Sequence, residues 1–349
     1  MTGKHEKIKN ALPDGADAIL LTSYVSQYYA CGFDFEDGYV LVTKDKTYLL
    51  CDFRYTEAAK KEVKDAEICE RGELLSLLSD LEIKKLMFEE DTLSVGRLEN
   101  LKTKYNFVEF IPSSGLVSSL RQFKDEDEIE YTVKAQRIAE KAFDRVLSFI
   151  KEGVTEKELA LELEFFMRKN GADEEAFKTI CISGKQTSMP HGTPRDVPLE
   201  KGFITMDFGA SYKGYKSDMT RTVCFGKASE KMKDIYRTVL NAQLAALDYL
   251  KCGRDCCEAD TVARSIINEK YNGAFGHSLG HGVGLEIHES PRLSQGAKGE
   301  FLQKGHIVTV EPGIYIPSQM GVRIEDMIVV YEDHTENITK CPKELIEIC

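Results

Sequence analysis

The stretch Gly202-Phe-Ile-Thr-Met-Asp-Phe208 carries a carboxylate inside an apolar run that otherwise has the composition of a β-strand. A second run, Ser217-Asp-Met-Thr-Arg-Thr-Val-Cys224, returns after a short turn and also contains an aspartate. Paired about a turn at 211–214, these strands would place Asp207 directly opposite Asp218, with Cβ atoms about 5 Å apart. Two bare carboxylates at that range repel each other, so the pattern favours a cation between them.

The same arrangement recurs near the end of the chain. Glu311 follows the apolar run Ile307–Val310, and Glu325 lies within 321–330, a second mostly apolar stretch. A glutamate in a buried strand is rare unless it is paired or bound to a metal. One such acid could face solvent or cap a turn, but four of them in two predicted hairpins indicate a site.

Histidines offer the nitrogen ligand that such a site would use. Three of the seven histidines, His277, His281 and His288, follow one another closely in a segment that begins with the glycine-rich stretch 276–284. That stretch contains too much glycine for a stable helix, so it is not the two-histidine helix of an HExxH zinc site. Glycine instead lets the backbone come close to the site while an imidazole points inward.

The ligand set favours two metal ions over one. Four carboxylates and one imidazole are too many ligands for a single tetrahedral zinc ion, but they suit two divalent ions roughly 3.5–4 Å apart that share carboxylates. Hard oxygen ligands favour Mn²⁺, with Co²⁺ or Zn²⁺ as alternatives. Because two such ions activate water and polarise a carbonyl, the residues predict metal-assisted hydrolysis.

The order of predicted elements indicates two domains, residues 1–122 and 123–349. In the first, strands at 18–22, 38–43, 47–51 and 85–88 alternate with helices at 55–63 and 74–81, which is typical of an α/β domain. In the second, helices at 127–151 and 156–170 precede the first hairpin, and helices at 229–251 and 258–271 precede the second. Thr155 and Glu158 fit a capping box. The repeated helix–helix–hairpin order predicts an α+β domain with two pseudo-symmetric halves that share one sheet.

Composition narrows the choice of partners and compartment. The 349 residues include 46 Lys and Arg against 58 Asp and Glu, a net charge of −12 that disfavours nucleic acid. No apolar run approaches the ~20 residues of a membrane span, and the N-terminus has no apolar signal core. The ten cysteines contain no CxxC pair and are typical of a reduced protein. We therefore expect a cytoplasmic protein with no membrane partner.

Short runs across the second domain closely resemble the pita-bread metallopeptidases, a superfamily that includes methionine aminopeptidase, aminopeptidase P and prolidase. They occur in the order and spacing of that family. The runs are Met206-Asp-Phe-Gly-Ala210, Gly214-Tyr-Lys-Ser-Asp-Met-Thr-Arg221, Gly280-His-Gly-Val-Gly284, Ile287-His-Glu289, Val310-Glu-Pro-Gly313 and Val322-Arg-Ile-Glu-Asp326.

The resemblance implies a role for each candidate ligand. The implied metal ligands are Asp207, Asp218, His281, Glu311 and Glu325. Asp218 and Glu325 would bridge two ions, His281 and Glu311 would complete one of them, and Asp207 would complete the other. Glu311 would also accept a proton from the attacking water.

Four further residues match positions near the substrate in that family. His191 would lie near the substrate amide or the leaving nitrogen, and His288 would stabilise the tetrahedral intermediate or shuttle a proton. His277 would line the proline side of the pocket, and Arg323 would lie near the bridging acids. Histidine has a pKa suited to proton transfer at physiological pH.

The first domain favours one branch of the superfamily. Methionine aminopeptidases lack a domain of this size, whereas Tyr29-Ala-Cys-Gly-Phe33, Gly38-Tyr-Val-Leu-Val42 and Asp52-Phe-Arg-Tyr55 resemble the N-terminal domain of creatinase, prolidase and aminopeptidase P. The last of these runs is more similar to aminopeptidase P. The branch usually has a Gly-Ser-type turn where this chain has Asp34-Phe-Glu-Asp-Gly38. If this loop borders the substrate entrance, we expect its three acids to alter the preference for the substrate's first residue.

We therefore expect an Xaa-Pro aminopeptidase, which cleaves between an unblocked N-terminal residue and a penultimate proline in short peptides. That bond is a tertiary amide with a fixed ring and no N–H, which general peptidases handle badly. The alternative is an Xaa-Pro dipeptidase, or prolidase. A creatinase-like hydrolase and a non-catalytic peptide-binding relative are disfavoured, because every implied ligand is present. The resemblance also implies a homodimer.

Overall fold

The computed structural model describes residues 3–349, which separate into two compact units, 3–121 and 122–349. Within the described residues no helix is long and apolar enough to cross a membrane. All ten cysteines lie in this described range and are free.

The first unit is an α/β unit, as the sequence predicts. Its described strands are β1 (Ala18–Leu21), β2 (Tyr39–Thr43), β3 (Thr47–Cys51), β4 (Glu67–Glu70), β5 (Lys85–Phe88) and β6 (Glu109–Pro112). They form one mixed sheet in the order β4-β3-β2-β1-β5-β6. Its described helices are α1 (Lys4–Ala11), α2 (Tyr24–Cys31), α3 (Phe53–Glu62), α4 (Leu74–Asp80), α5 (Val95–Lys104) and α6 (Leu116–Arg121). The sequence pattern misses β4, β6 and four of these helices, because they are short and have weak apolar periodicity.

Two pairs of helices cover the second unit. They are α7 (Glu126–Leu147), α8 (Glu156–Lys169), α9 (Glu230–Tyr249) and α10 (Cys256–Tyr271). The predicted capping box opens α8, where the Glu158 N–H donates to Thr155 Oγ1 at 3.1 Å and the Thr155 N–H donates to the Glu158 carboxylate at 2.8 Å.

Of the predicted acids, Asp207 lies within a strand of the second unit, whereas Asp218, Glu311 and Glu325 lie in short gaps between its strands. These strands are β7 (Glu174–Glu175), β8 (Ile180–Ser183), β9 (Gly202–Phe208), β10 (Ala210–Tyr212), β11 (Tyr215–Lys216), β12 (Met219–Phe225), β13 (Gly280–Gly282), β14 (Glu289–Leu293), β15 (Ile307–Val310), β16 (Gly313–Ile316), β17 (Met320–Arg323), β18 (Asp326–Val330), β19 (Thr335–Asn337) and β20 (Glu347–Ile348). The hairpin β9–β12 packs its apolar side on α7 and α8, and β15–β18 packs on α9 and α10.

The two halves of this unit are pseudo-symmetric, as expected. Each half has two helices followed by a long hairpin, and the residue that caps the second helix pairs with a later segment in both halves. Thr155 bridges to Pro198 at the start of α8, and Asp255 bridges to Phe301 at the start of α10. The expectation of one shared sheet is wrong, because the two hairpins belong to separate hydrogen-bonded sheets.

The register of the first hairpin differs from the prediction by two residues. The turn lies at Lys213 and Gly214, whose φ angles of 50° and 76° suit a tight two-residue hairpin turn. Asp207 therefore pairs with Thr220 rather than with Asp218. Since side chains alternate with a period of two, a shift of two residues leaves both aspartates on the same face.

The predicted strand at 321–330 is interrupted in its middle. β17 ends at Arg323 and pairs with β16, whereas β18 begins at Asp326 and pairs with β15. The backbone N–H of Glu325, in the gap, donates to the carbonyl of Thr220 at 3.1 Å. The interruption thus joins the second hairpin to the first at the point where the acids lie.

Candidate metal centre

Three of the five predicted ligands meet in one buried cluster. One ligand atom from each of Asp218, His281 and Glu325 lies within 4.8 Å of the other two. The Nδ1–H of His281 donates to the Gly282 carbonyl at 3.1 Å, which leaves Nε2 facing the acids. This Nε2 lies 3.6 Å from Asp218 Oδ2 and 3.3 Å from Glu311 Oε1, so the fourth ligand adjoins the cluster.

Close backbone packing brings His281 to this position. A Cβ on Gly280 would lie 2.0 Å from the carbonyl oxygen of Thr309, a distance that no side chain tolerates. A Cβ on Gly282 would lie 2.3 Å from the Ser290 carbonyl oxygen. Both flanking residues must therefore be glycine, which is the close approach that the sequence indicates.

Asp207, the fifth predicted ligand, is held at the side of the cluster. Its Oδ2 accepts a hydrogen bond from Arg323 Nη2 at 2.6 Å. The Nε of Arg323 donates to the hydroxyl of Thr220 at 2.9 Å, and that hydroxyl donates to Glu325 Oε2 at 2.7 Å. Arg323 and Thr220 thus fix two of the acids relative to each other.

The cluster fits divalent cations. Four carboxylates against one guanidinium leave an excess of negative charge, and all the ligand atoms are hard oxygen or imidazole nitrogen. Oδ1 of Asp207 and Oε1 of Glu325 are buried and accept no hydrogen bond from the described residues. Such atoms are costly unless something binds them, and a divalent cation would supply what is missing.

The pKa values of the acids reflect the same cost of burying ionised carboxylates close together. Burial raises the pKa of Asp218 well above its ordinary value, and the charges of Glu325 and Asp207 raise it further. Burial and the charges of Glu311 and Asp207 do the same to the pKa of Glu325. Burial also acts to raise the pKa of Glu311, but the hydrogen bond and charge of His281 outweigh it and lower that pKa to about 2.

One cavity of about 290 Å³ contains all nine predicted site residues. His288 packs edge-on against His281 with 4.4 Å between ring centroids, and both His288 and His191 are partly open to solvent. Burial lowers the pKa values of His277 and His288, so both rings favour the neutral form. The lining residues are Phe177, Ile180, Pro190, His191, Asp207, Asp218, His277, Ser278, His281, Ile287, His288, Arg292, Glu311, Arg323 and Glu325.

Sequence reasoning missed two polar residues of this site. The hydroxyl of Tyr315 lies 2.9 Å from His277 Nε2 and accepts a hydrogen bond from Arg323 Nη1 at 2.8 Å. Arg292 lies opposite His281 in the pairing of β13 and β14 and lines the cavity. Tyr315 belongs to an apolar run, and Arg292 sits at an exposed position of an alternating strand, so neither stands out in the sequence.

Comparisons with known proteins agree with this geometry. Residues 130–332 match metallopeptidase family M24, and residues 6–123 match the creatinase/prolidase N-terminal domain. The structure of an Xaa-Pro dipeptidase from Bacillus anthracis is 45% identical with a TM-score of 0.94, and 99% of each chain is covered. The structure of an X-Pro aminopeptidase from Thermotoga maritima is 37% identical with a TM-score of 0.92, covering 96% of this chain and 98% of that one.

A third relative extends the likeness along the whole chain. An Xaa-Pro dipeptidase of Pyrococcus furiosus is 39% identical over 99% of this chain and 100% of its own length. The expected family, its two-part fold and its hydrolase class are therefore confirmed. The chain belongs to metallopeptidase family M24 and carries a creatinase/prolidase N-terminal domain ahead of its pita-bread unit.

Proposed function

We propose that this protein is an Xaa-Pro dipeptidase, which hydrolyses dipeptides whose second residue is proline. This is the alternative of the sequence analysis and not its first choice, the aminopeptidase. Two of the relatives above are named Xaa-Pro dipeptidase and one is named X-Pro aminopeptidase, so the names favour the dipeptidase.

The observation that carries the proposal is the guanidinium of Arg292 in the same cavity as the acid cluster. A dipeptide differs from a longer peptide in having its free carboxylate directly on the proline. A guanidinium binds a carboxylate through two parallel hydrogen bonds, so Arg292 suits that end of the substrate. The charge of Arg292 also contributes, after burial and His281, to the lowered pKa of His288, which indicates that the two side chains are close.

The size of the cavity supports the same substrate. Its volume of about 290 Å³ is at the lower end of the roughly 300–1,000 Å³ of small-molecule pockets. A dipeptide fits within such a volume.

The proposed chemistry divides between the metal ions and the side chains of this chain. When bound by Asp207, Asp218, His281, Glu311 and Glu325, two divalent ions would lower the pKa of a water molecule and polarise the scissile carbonyl.

The other steps belong to side chains that line the cavity. The Glu311 carboxylate, which adjoins the cluster beside His281, accepts the proton of the attacking water. His288, neutral because burial lowers its pKa, donates a hydrogen bond to the developing oxyanion. His191 delivers a proton to the leaving proline nitrogen, and the proton that Glu311 took from water replaces it. His277 lines the proline side.

Three matched substrates test the proposal: Leu-Pro, Leu-Pro-amide and Leu-Pro-Gly. We expect Leu-Pro to be cleaved at least tenfold better than the other two. Arg292→Ala should raise KM for Leu-Pro by roughly 10- to 100-fold, the equivalent of one charge-assisted hydrogen-bonded pair. Arg292→Lys should recover part of this loss. If Leu-Pro-Gly is cleaved as well as Leu-Pro or better, the protein is instead an Xaa-Pro aminopeptidase, the activity named for the Thermotoga maritima structure.

The finer expectations of the sequence analysis stay predictions with their own tests. Metal analysis of the purified protein tests Mn²⁺ against Co²⁺ and Zn²⁺, sedimentation tests the homodimer, and cell fractionation tests the cytoplasmic location. Replacing Asp34, Glu36 and Asp37 by serine tests whether the acidic loop affects the preference for the first residue.

A further inference from the structure

The three cavity histidines outside the predicted ligand set lie on three separate connecting segments. His191 belongs to the segment between β8 and β9, His277 to the segment between α10 and β13, and His288 to the segment between β13 and β14. Connecting segments are mobile by default, yet proton transfer needs a ring held to within about half an ångström. Each segment is fixed to the body of the unit by a buried carboxylate with a basic partner.

Glu156, the first residue of α8, binds the chain on both sides of His191. Its side chain is 0% exposed. One oxygen accepts the N–H and hydroxyl of Ser183, both at 2.8 Å. The other accepts the backbone N–H of Arg195 at 3.0 Å and its Nε at 2.9 Å. Since Ser183 and Arg195 flank His191, this one carboxylate closes the base of the loop that carries it.

Asp260, on the pseudo-equivalent helix α10, holds the His277 segment. Its side chain is 0% exposed and forms a two-pronged ion pair with Arg264, at 2.7 and 2.8 Å. Asp260 also accepts the N–H of Leu279 at 3.0 Å, and Arg264 Nη2 donates to the carbonyl of His277 at 2.8 Å. The pair thus binds the backbone at His277 and two residues beyond it.

Glu289 and Lys124 hold the His288 segment. Their side chains are 4% and 1% exposed, and Lys124 Nζ donates to Glu289 Oε2 at 2.8 Å. Oε1 of Glu289 accepts the N–H of Glu286 at 3.1 Å, which closes the short loop that contains His288. A Cβ on Gly284 would lie 2.6 Å from Glu289 Oε2, so the loop is packed directly onto this carboxylate.

Buried ion pairs contribute little net stability, because desolvation offsets their attraction. Stability alone therefore does not account for three such pairs, each at the base of a segment that carries a cavity histidine. We infer that Glu156, Asp260 and Glu289, with their basic partners, are positioning residues for His191, His277 and His288. The inference rests on the proposed function for the roles of the histidines, but not for the contacts.

Arg195 offers the most direct test, because its side chain is 34% exposed and its replacement leaves Glu156 with its other hydrogen bonds. We expect Arg195→Gln to lower kcat/KM for Leu-Pro by about 10- to 100-fold, mainly through kcat, as displaced catalytic groups do. In a His191→Ala background the same substitution should change kcat/KM by less than about twofold, because coupled residues are non-additive. In a His288→Ala background it should keep its full effect.

The matched control is Arg145→Gln. It removes a 3.0 Å ion pair between Arg145 of α7 and Glu162 of α8, the helix that also carries Glu156, and it touches none of the three histidine segments. It should leave kcat/KM within about twofold of the wild type. Equal effects of Arg195→Gln in the His191→Ala and His288→Ala backgrounds would overturn the inference, since they would reveal a general structural role.

Hydrogen exchange separates this inference from the proposed function. In Arg195→Gln, backbone amides at 184–192 should exchange faster than in the wild type, whereas Arg145→Gln should leave them unchanged. If the metal-loaded wild type cleaves none of the three peptides, the proposed function is wrong. Hydrogen exchange alone then tests the positioning role. Unchanged exchange at 184–192 in Arg195→Gln would overturn the positioning role.

Discussion

Acid should destabilise the second unit through His306, a buried imidazole outside the candidate metal centre. The residue is 2% exposed, and its ring packs on Phe123 with 5.1 Å between centroids. Its Nδ1 accepts the N–H of Gln303 at 3.2 Å, and its Nε2 is buried without a hydrogen-bond partner among the described residues. Burial, helped by the nearby charge of Lys124, lowers the pKa of His306 to about 4.

The magnitude follows from the difference between the folded and unfolded chain. An imidazole in the unfolded chain has a pKa of about 6.5, so it binds a proton as the pH falls through that value. The folded chain stays neutral there until about pH 4, so the free energy of unfolding falls with pH between 6.5 and 4. The stabilisation is fully present above pH 6.5. Linkage gives a loss of about 2 kcal/mol by pH 5 and about 3 kcal/mol in all.

Urea unfolding at pH 7.5 and pH 5, followed by circular dichroism, measures this loss. His306→Asn keeps an acceptor for the N–H of Gln303 but cannot bind a proton. Its lost ring packing lowers stability equally at both pH values, so the variant should lose about 2 kcal/mol less than the wild type on acidification. His334→Asn is the control, because that side chain is 57% exposed, and it should follow the wild type. An identical pH dependence in wild type and His306→Asn would refute the reasoning.

Three further predictions concern the candidate site. Chelation should abolish peptide cleavage and lower the melting temperature, and Mn²⁺ should restore both, since a ligand at 100 times its Kd adds about 2.7 kcal/mol of stability. Gly280→Ala should cost at least about 1–3 kcal/mol in urea unfolding because its Cβ meets a backbone carbonyl, whereas Gly276→Ala, with open space around it, should stay within about 1 kcal/mol of the wild type. Tyr315→Phe should lower kcat about tenfold with unchanged metal content, because Arg323 and His277 lose their shared hydroxyl.

The candidate ligands were accessible to sequence reasoning because a charge in an apolar strand is a local anomaly. Asp207 and Glu325 each interrupt an apolar run, and burial makes such an acid costly whatever the rest of the fold is. The glycines around His281 are also a local signal in the sequence, because residues without side chains indicate that another part of the backbone comes close. These features place the site in the chain before any tertiary contact is known.

Residues whose role depends on contacts with distant segments have no such local signal in the sequence. Tyr315 has the composition of a core residue, and its hydroxyl becomes significant only beside Arg323 and His277. Glu156 and Asp260 resemble ordinary helix-surface acids in the sequence, because nothing local reveals that they are 0% exposed. Charges that are satisfied by distant partners are invisible to periodicity.

The errors in the two predicted hairpins explain why the sequence predicted the residues of the site but not their pairing. A register error of two residues in β9–β12 preserves the face of every side chain, so Asp207 and Asp218 stayed together although their pairing was wrong. The interruption between β17 and β18 is different, because it lets the Glu325 backbone bond to Thr220 of the other half. Alternation specifies a face, whereas register and strand breaks depend on turns and on distant backbone partners. Each acid can therefore be predicted from the sequence, but which acids bind the same ion depends on tertiary structure.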